Sequence, residues 1–229
     1  MSKVIIVTGA SRGIGFEVCR QLADRGHRVV AVARSAQPLQ KLQQQYPSLI
    51  YDMPADLTGD IHQLVRTVSS TFEGVDVLIN NAGALINKSF EELTMEDWQS
   101  QINSNLLSAV RVTKAFLPHI NTNGHILNIS SMGGFQGSTK FPGLSAYSVS
   151  KGALSILTEC LSVELAGQQI SVNALCLGAV QTAMVKEAFP GIKAPVTPVE
   201  MGKYIADFSL GGSAFYNGRI LPVAMNDPG

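Results

Sequence analysis

The chain of 229 residues has only three cysteines and a single tryptophan. Cys19, Cys160 and Cys176 form no Cys-x-x-Cys pair, which removes the usual redox and zinc signatures and leaves buried free thiols in a reducing compartment as the expectation. The four histidines, His27, His62, His119 and His125, have no metal-ligand spacing either, so no metal site is expected. No run approaches the ~20 apolar residues of a membrane span. The opening "MSKVIIVTGAS" reads as a strand entering a glycine turn, not a signal peptide. Seventeen basic and seventeen acidic residues balance to zero, which gives no electrostatic reason to expect nucleic acid or an acidic membrane as partner. Low charge (15%) with 45% hydrophobic residues excludes a disordered chain.

What is present alternates. "KVIIVTG", "RVVAVAR", "LIYDMPADL", "VDVLINNAG", "GHILNISS", "QISVNALCLG" and "GRILPV" read as seven strands. Helical stretches separate them near 13–27, 38–46, 58–72, 94–120, 145–166 and 198–210. Strands apolar on both faces between helices predict an α/β fold: one domain, residues 1–229, with a doubly wound parallel seven-stranded sheet covered on both sides. The proline-containing stretch 183–200 is expected to be a loop over a site.

The turn "VTGASRGIG" follows the first strand. Gly9, Gly13 and Gly15 let backbone approach a pyrophosphate, and the helix start offers free N–H groups and the positive dipole end. Its G-x-x-x-G-x-G spacing differs from G-x-G-x-x-G. A ribose-binding acid belongs about 20 residues later, yet "VAVARS" puts Ala33 and Arg34 there. Arg34, with Arg12 in the turn, suits a 2′-phosphate through charge-assisted bonds, so NADP(H) is the expected cofactor.

In "SAYSVSK", Tyr147 and Lys151 are four residues apart and share a helix face. Lowering a phenol from its usual pKa near 10 to neutrality takes about 4 kcal/mol. A nearby ammonium supplies part of it, as general acid–base chemistry requires.

With these motifs in this order, the chain resembles the short-chain dehydrogenase/reductase family over almost its whole length. The marks are "TGASRGIG" at 8–15, "NNAG" at 80–83, Asn105 in "NSNLLSAV", "NISS" at 128–131, "YSVSK" at 147–151 and "NALCLGAVQT" at 173–182. The resemblance implies a catalytic set of Asn105, Ser131, Tyr147 and Lys151. Ser131 would hold a substrate carbonyl oxygen and Tyr147 would donate its proton. Lys151 would lower the tyrosine's pKa and hold the nicotinamide ribose, and Asn105 would place a water next to Lys151. It further implies cofactor contacts from Gly9, Ser11, Arg12, Gly13, Ile14, Gly15, Arg34, Asp56, Leu57, Asn81, Ala82, Gly83, Gly178, Val180 and Thr182, besides Tyr147 and Lys151.

Three departures from the family pattern stand out. Fifteen residues separate Ser131 from Tyr147, with "GSTKFPG" as an insertion that alters the pocket wall and bears on the choice between Ser130 and Ser131. Leu177 replaces the usual proline before Gly178. The loop after Thr182 is short, and "VAMNDPG" lacks the usual glycine pair, so an open or shallow pocket is expected. Phe135, Phe141, Leu144 and Phe189 are candidate apolar walls.

The expected activity is reduction of an apolar ketone, aldehyde or diketone with NADPH, in the cytoplasm. A nucleotide sensor without turnover and an NAD-dependent alcohol dehydrogenase are the other readings. The helix after Tyr147 carries two apolar stripes, Val149/Ala153/Ile156/Cys160/Val163 and Leu154/Leu157/Leu161/Leu165, and the helix at 106–120 is similarly apolar. One sheet face buries one stripe, so a homodimer or homotetramer is expected.

Overall fold

The computed structural model describes residues 2–225. Seven strands, β1 (Val4–Thr8), β2 (Arg28–Ala33), β3 (Ile50–Pro54), β4 (Val75–Asn80), β5 (Ile120–Ser131), β6 (Ser171–Leu177) and β7 (Ile220–Val223), form one sheet in the order β3-β2-β1-β4-β5-β6-β7. Every neighbouring pair is parallel. The helices are α1 (Gly13–Asp24), α2 (Ala36–Gln45), α3 (His62–Thr71), α4 (Met95–Ile102), α5 (Ser108–Phe116), α6 (Ser145–Glu164), α7 (Ala183–Ala188) and α8 (Pro198–Gly211).

Strand β1 shows why both faces are covered. Its residues alternate between two cores: Ile5 and Val7 pack with α1, α2 and α8, while Val4 and Ile6 pack with α3, α5 and the end of α6. Each fully buried valine or isoleucine contributes about 1.5–3 kcal/mol. Buried polar groups add specificity at the carboxyl end of the sheet. Asn80 and Asn128 are register partners on β4 and β5. Asn80 Nδ2 donates to Asn128 Oδ1 (2.9 Å) and to Thr113 Oγ1 of α5 (3.0 Å), and Asn128 Nδ2 donates to Thr158 Oγ1 of α6 (2.9 Å). This ladder pins α5 and α6 to the sheet.

Some boundaries differ from expectation. Strand β5 begins at Ile120, four residues before the β-branched run, because Ile120 pairs with Val75 ahead of a register irregularity. The tail of that irregular stretch is held by Asn121 Nδ2, which donates to Asp76 Oδ1 (2.9 Å). Helix α3 starts at His62 rather than 58, because the Asp56 and Asp60 carboxylates accept the backbone N–H groups of Thr58 and His62 (2.9 and 2.8 Å) and hold turns there. The 183–200 stretch contains a helix, α7, started by Thr182, whose hydroxyl accepts from Val185 N (3.3 Å). All three cysteines are free, but Cys160 is exposed, against the expectation of burial, because it lies on the outward stripe of α6. That stripe is open at Val149, Ile156 and Val163, whereas Leu154 and Leu165 are buried. No helix among the described residues is long and apolar enough to cross a membrane.

His125 is buried on β5. Its Nδ1 faces the Ser209 carbonyl at 3.1 Å and its Nε2 faces the Asn173 amide at 3.2 Å. A neutral ring protonated on Nδ1 satisfies both, whereas a second proton would meet an N–H donor. Burial lowers its pKa to about 4. The imidazole therefore contributes stability above its unfolded pKa of 6.5, and that contribution is lost as pH falls towards 4, roughly 3 kcal/mol in all. Urea midpoints measured from pH 7 to 4 should fall more steeply for the native chain than for His125→Phe.

Candidate active site

Strand order reverses between β1 and β4, and the carboxyl ends of the strands open there into a cleft of about 830 Å³. This is where ligands bind in open α/β sheets. Helix α7 and the chain after it contribute to its lining, with Phe189, Ile192, Pro195 and Val196 among the residues. A bridge between Val180 and Val196 closes the base of that segment.

The glycine turn is shaped by what lies against it. Gly9 has φ +70°, and a Cβ there would come within 2.9 Å of Ala82 Cα. A Cβ on Gly15 would meet Asn81 Nδ2 and the Gly9 carbonyl at 2.4 Å. Asn81 is turned inward to secure this approach, its Nδ2 donating to the Thr8 and Gly9 carbonyls (2.9 and 3.4 Å). Thr8 Oγ1 accepts from the Asn81 and Ala82 amides (3.0 Å each) and donates to the Ile79 carbonyl (3.3 Å). Helix α1 then begins with no side-chain cap and no acid in its first turn. Uncapped N–H groups beside a turn with no room for side chains fit a dinucleotide pyrophosphate.

All the residues expected to contact cofactor line this cleft: Gly9, Ser11, Arg12, Gly13, Ile14, Gly15, Arg34, Asp56, Leu57, Asn81, Ala82, Gly83, Tyr147, Lys151, Gly178, Val180 and Thr182. Asp56 is held by Thr58, whose amide and hydroxyl donate to Oδ1 (2.9 and 2.8 Å). Those bonds, aided by the charges of Arg34 and Arg111, keep its carboxyl below the usual range. Arg12 lies 3.6 Å from Glu187 of α7, both about two-thirds exposed. Gly178 admits no side chain, since a Cβ would sit 2.8 Å from Ala224 Cβ, and Leu177 ends β6 as the register partner of Val223.

Ser131, Tyr147 and Lys151 also line this cleft. Strand alternation separates the two serines: Ser130 is buried and donates to the Lys151 carbonyl (2.8 Å), whereas Ser131 is half-buried, accepts from the Gly133 amide (3.1 Å) and lies near enough to Tyr147 to favour its phenolate. The turn after Ser131 lies backbone-to-backbone on α6, because a Cβ on Gly134 would strike Gly152 N at 2.5 Å. Lys151 Nζ donates to the Ile129 carbonyl at 2.8 Å, and burial lowers its pKa to about 8. Tyr147 keeps some open surface on the cleft but is closely packed by protein. That burial pushes the phenol above its usual value, with the Ser131 hydrogen bond pulling the other way. The expected lowering of the phenol by Lys151 is therefore not what the protein alone produces: burial is the larger effect, and the amine is turned to Ile129.

Asn105 does not line the cleft. It sits in a π-helical turn (Asn103–Leu107) between α4 and α5, a local distortion common at functional sites. Its Oδ1 accepts from Ala84 N (2.7 Å), and its Nδ2 donates to the Ala84 carbonyl (3.0 Å) and Ser150 Oγ (2.9 Å). Its side chain thus clamps the loop after β4 to α6. A Cβ on Gly83 would meet Asn105 Oδ1 at 2.9 Å and Lys151 Nζ at 3.3 Å, so Gly83 is where the two groups approach.

Of the four candidate wall residues, Phe141, Leu144 and Phe189 line the cleft, but Phe135 does not. The Phe135 carbonyl instead ties down the insertion, accepting from Ser138 Oγ (2.9 Å) and Lys140 Nζ (2.6 Å). Sequence reading missed Met132, Met184, Ile192 and Met225 in the lining, and Arg111, whose guanidinium donates to the Leu57 carbonyl. Lining charges among the described residues are confined to Arg12, Arg34, Asp56 and Lys151.

The profile of the short chain dehydrogenase family matches residues 3–193. A fatty acyl-CoA reductase of Acinetobacter baylyi is 33% identical over 216 residues, covering 90% of this chain and 68% of that protein. An uncharacterised oxidoreductase of Staphylococcus epidermidis is 31% identical, over 80% of each chain. Among solved structures, a short chain dehydrogenase from Burkholderia cenocepacia in complex with NADP has a TM-score of 0.88 at 25% identity, covering 100% of this chain and 98% of that one. A dehydrogenase/reductase from Sinorhizobium meliloti has a TM-score of 0.89 at 25% identity, covering 100% and 96%. With its profile match, parallel sheet and glycine turn, the chain belongs to the short-chain dehydrogenase family of nicotinamide-dependent oxidoreductases.

Proposed function

We propose that the protein is an NADP(H)-dependent carbonyl reductase acting on an uncharged, largely apolar ketone or aldehyde. The carrying observation is that Ser131, Tyr147 and Lys151 meet in the same cleft as the glycine turn, Arg12 and Arg34. Bound NADPH supplies the hydride. Ser131 holds the substrate oxygen and stabilises the charge that develops there. Tyr147 donates the proton to that oxygen. A phenol kept above its usual pKa is protonated at neutral pH but is a weaker acid, so giving up the proton depends on positive charge beside it. Lys151, charged below about pH 8, favours the phenolate left behind. Asn105 acts through Ala84 and Ser150, holding the loop that carries Gly83 against Lys151. The apolar end of the cleft, with Phe141, Leu144 and Phe189, and 183–200 as a substrate loop, favours uncharged substrates. Free thiols suit a reducing compartment such as the cytoplasm.

Tyr147→Phe should lower the rate of NADPH oxidation with a panel of apolar ketones and aldehydes by about 10²–10⁴-fold, while NADPH binding by fluorescence titration changes little. Loss of binding as well, or activity near the native level, would refute the assigned proton donor. Carbonyl reduction should also fall as pH rises through about 8, where Lys151 loses its charge; a flat profile from pH 7 to 9.5 would count against the role given to the amine.

Arg34 is exposed at the cleft edge. Calorimetric titration of Arg34→Ala should show NADPH affinity reduced roughly tenfold, the scale of one charge-assisted hydrogen bond, with NADH affinity unchanged. An equal loss for both nucleotides would sink the phosphate reading.

The open stripe of α6 supports a homo-oligomer, dimer or tetramer, since Val149, Ile156 and Val163 are 52%, 59% and 77% exposed. Sedimentation at micromolar concentration should find a dimer or larger species that Ile156→Glu shifts towards monomer.

A further inference from the structure

Three segments with no shared element make the substrate-side mouth of the cleft: the loop after β4, the inserted wall before α6, and α7 with the chain beyond it. One side chain reaches all three. Asn87 Nδ2 donates to the Ala188 carbonyl, at the end of α7, at 2.7 Å. The last carbonyls of a helix have no intrahelical partner, and Asn87 supplies one. On its other side Asn87 lies against Gly143 of the insertion, where a Cβ would come to 1.9 Å from its Oδ1. The adjacent Lys88 amide donates to the Gly143 carbonyl at 3.1 Å, so the loop and the insertion form one platform.

Little else restrains the far end of α7. Among the described residues its other side-chain tie outside 180–197 is the Glu187–Arg12 pair, 3.6 Å long and about two-thirds exposed at both ends. Such a pair is screened by solvent and contributes little. The shorter amide bond, braced by Gly143, is therefore the main restraint on the residue that precedes Phe189.

We propose that Asn87 is a positioning residue that latches α7 across the substrate mouth and so holds Phe189 and Ile192 over the apolar end of the cleft. The inference rests on reading 183–200 as the substrate loop, but its test needs no turnover. One solvent-accessible hydrogen bond accounts for a population change of roughly threefold. In hydrogen–deuterium exchange on the full chain, with and without NADPH, Asn87→Ala should speed exchange of amides 185–192 by about that factor. Asn87→Asp, which sets a carboxylate against the Ala188 carbonyl, should do so at least as strongly. Strands β1, β4 and β5 should keep their native rates, and the NADPH-induced rise in melting temperature should be unchanged, since Asn87 does not line the cleft. Native exchange rates over 185–192 in both variants would overturn the proposal. So would an equal acceleration across the strands, which would mean general loosening rather than an opened latch. Both results are independent of whether Tyr147 is the proton donor.

Discussion

The site depends on an amine held out of water. Lys151 Nζ sits behind Gly83 and is left with the Ile129 carbonyl as its protein hydrogen-bond partner, and burial brings its pKa to about 8. A lysine with its usual pKa would remain charged far into the alkaline range; this one loses its charge just above neutrality. Such a placement requires rigid surroundings, because relaxation would let water restore the ammonium. The rigidity comes from close backbone contacts. Gly134 lies on Gly152, Gly15 lies on Gly9, and the Asn80–Asn128 ladder secures α6 to the sheet through Thr158. A side chain at Gly134 would strike the backbone of Lys151 and Gly152 and push apart the pieces that confine the amine.

The same arrangement explains a division of labour between protein and ligand. The protein alone raises the tyrosine's pKa, since it surrounds the phenol with packed atoms and offsets this only through Ser131. That state keeps the phenol protonated and opposes the phenolate that proton donation leaves behind. The opposing positive charge has to come from Lys151 released from Ile129, or from groups that enter with the ligand. An i, i+4 spacing therefore tells less than it first suggests: it puts two groups on one helix face, while the acidity of the pair is set by what else fills the space.

Fold and site were unequally legible in the chain. Strands such as "VIIVT" and "VVAVA", apolar on both faces, could belong only to a covered sheet, and the glycine turn announced its place at the strand–helix switch. Motif residues chosen by family resemblance all reached the cleft, apart from Asn105, which lies one layer back, bonded to Ala84. What stayed hidden were contacts made by carbonyls and by residues far apart in sequence. Phe135 looked like a pocket wall because it is aromatic, yet its backbone oxygen is what holds the insertion. Cys160 looked buried because its neighbours are apolar, but its stripe of α6 faces out. Asn87 carries no motif, and its role depends on Ala188, 101 residues away. Periodicity reports which face of an element is apolar; it does not report which loop comes to rest against which.

Charge placement along the cleft then limits the substrate on physical grounds. Arg12, Arg34 and Asp56 lie in the glycine turn and just after β2 and β3, and Lys151 lies on α6. Beyond Lys151 the lining turns to Phe141, Leu144, Met184, Phe189 and Ile192. A carboxylate or phosphate lodged there would lose its hydration and find no partner, at a cost of several kcal/mol. An apolar group in the same space gains about 25 cal/mol per Å² of surface removed from water. The proposed preference for an uncharged carbonyl compound therefore rests less on any one recognising residue than on the lack, among the described residues, of a counter-charge beside those apolar side chains.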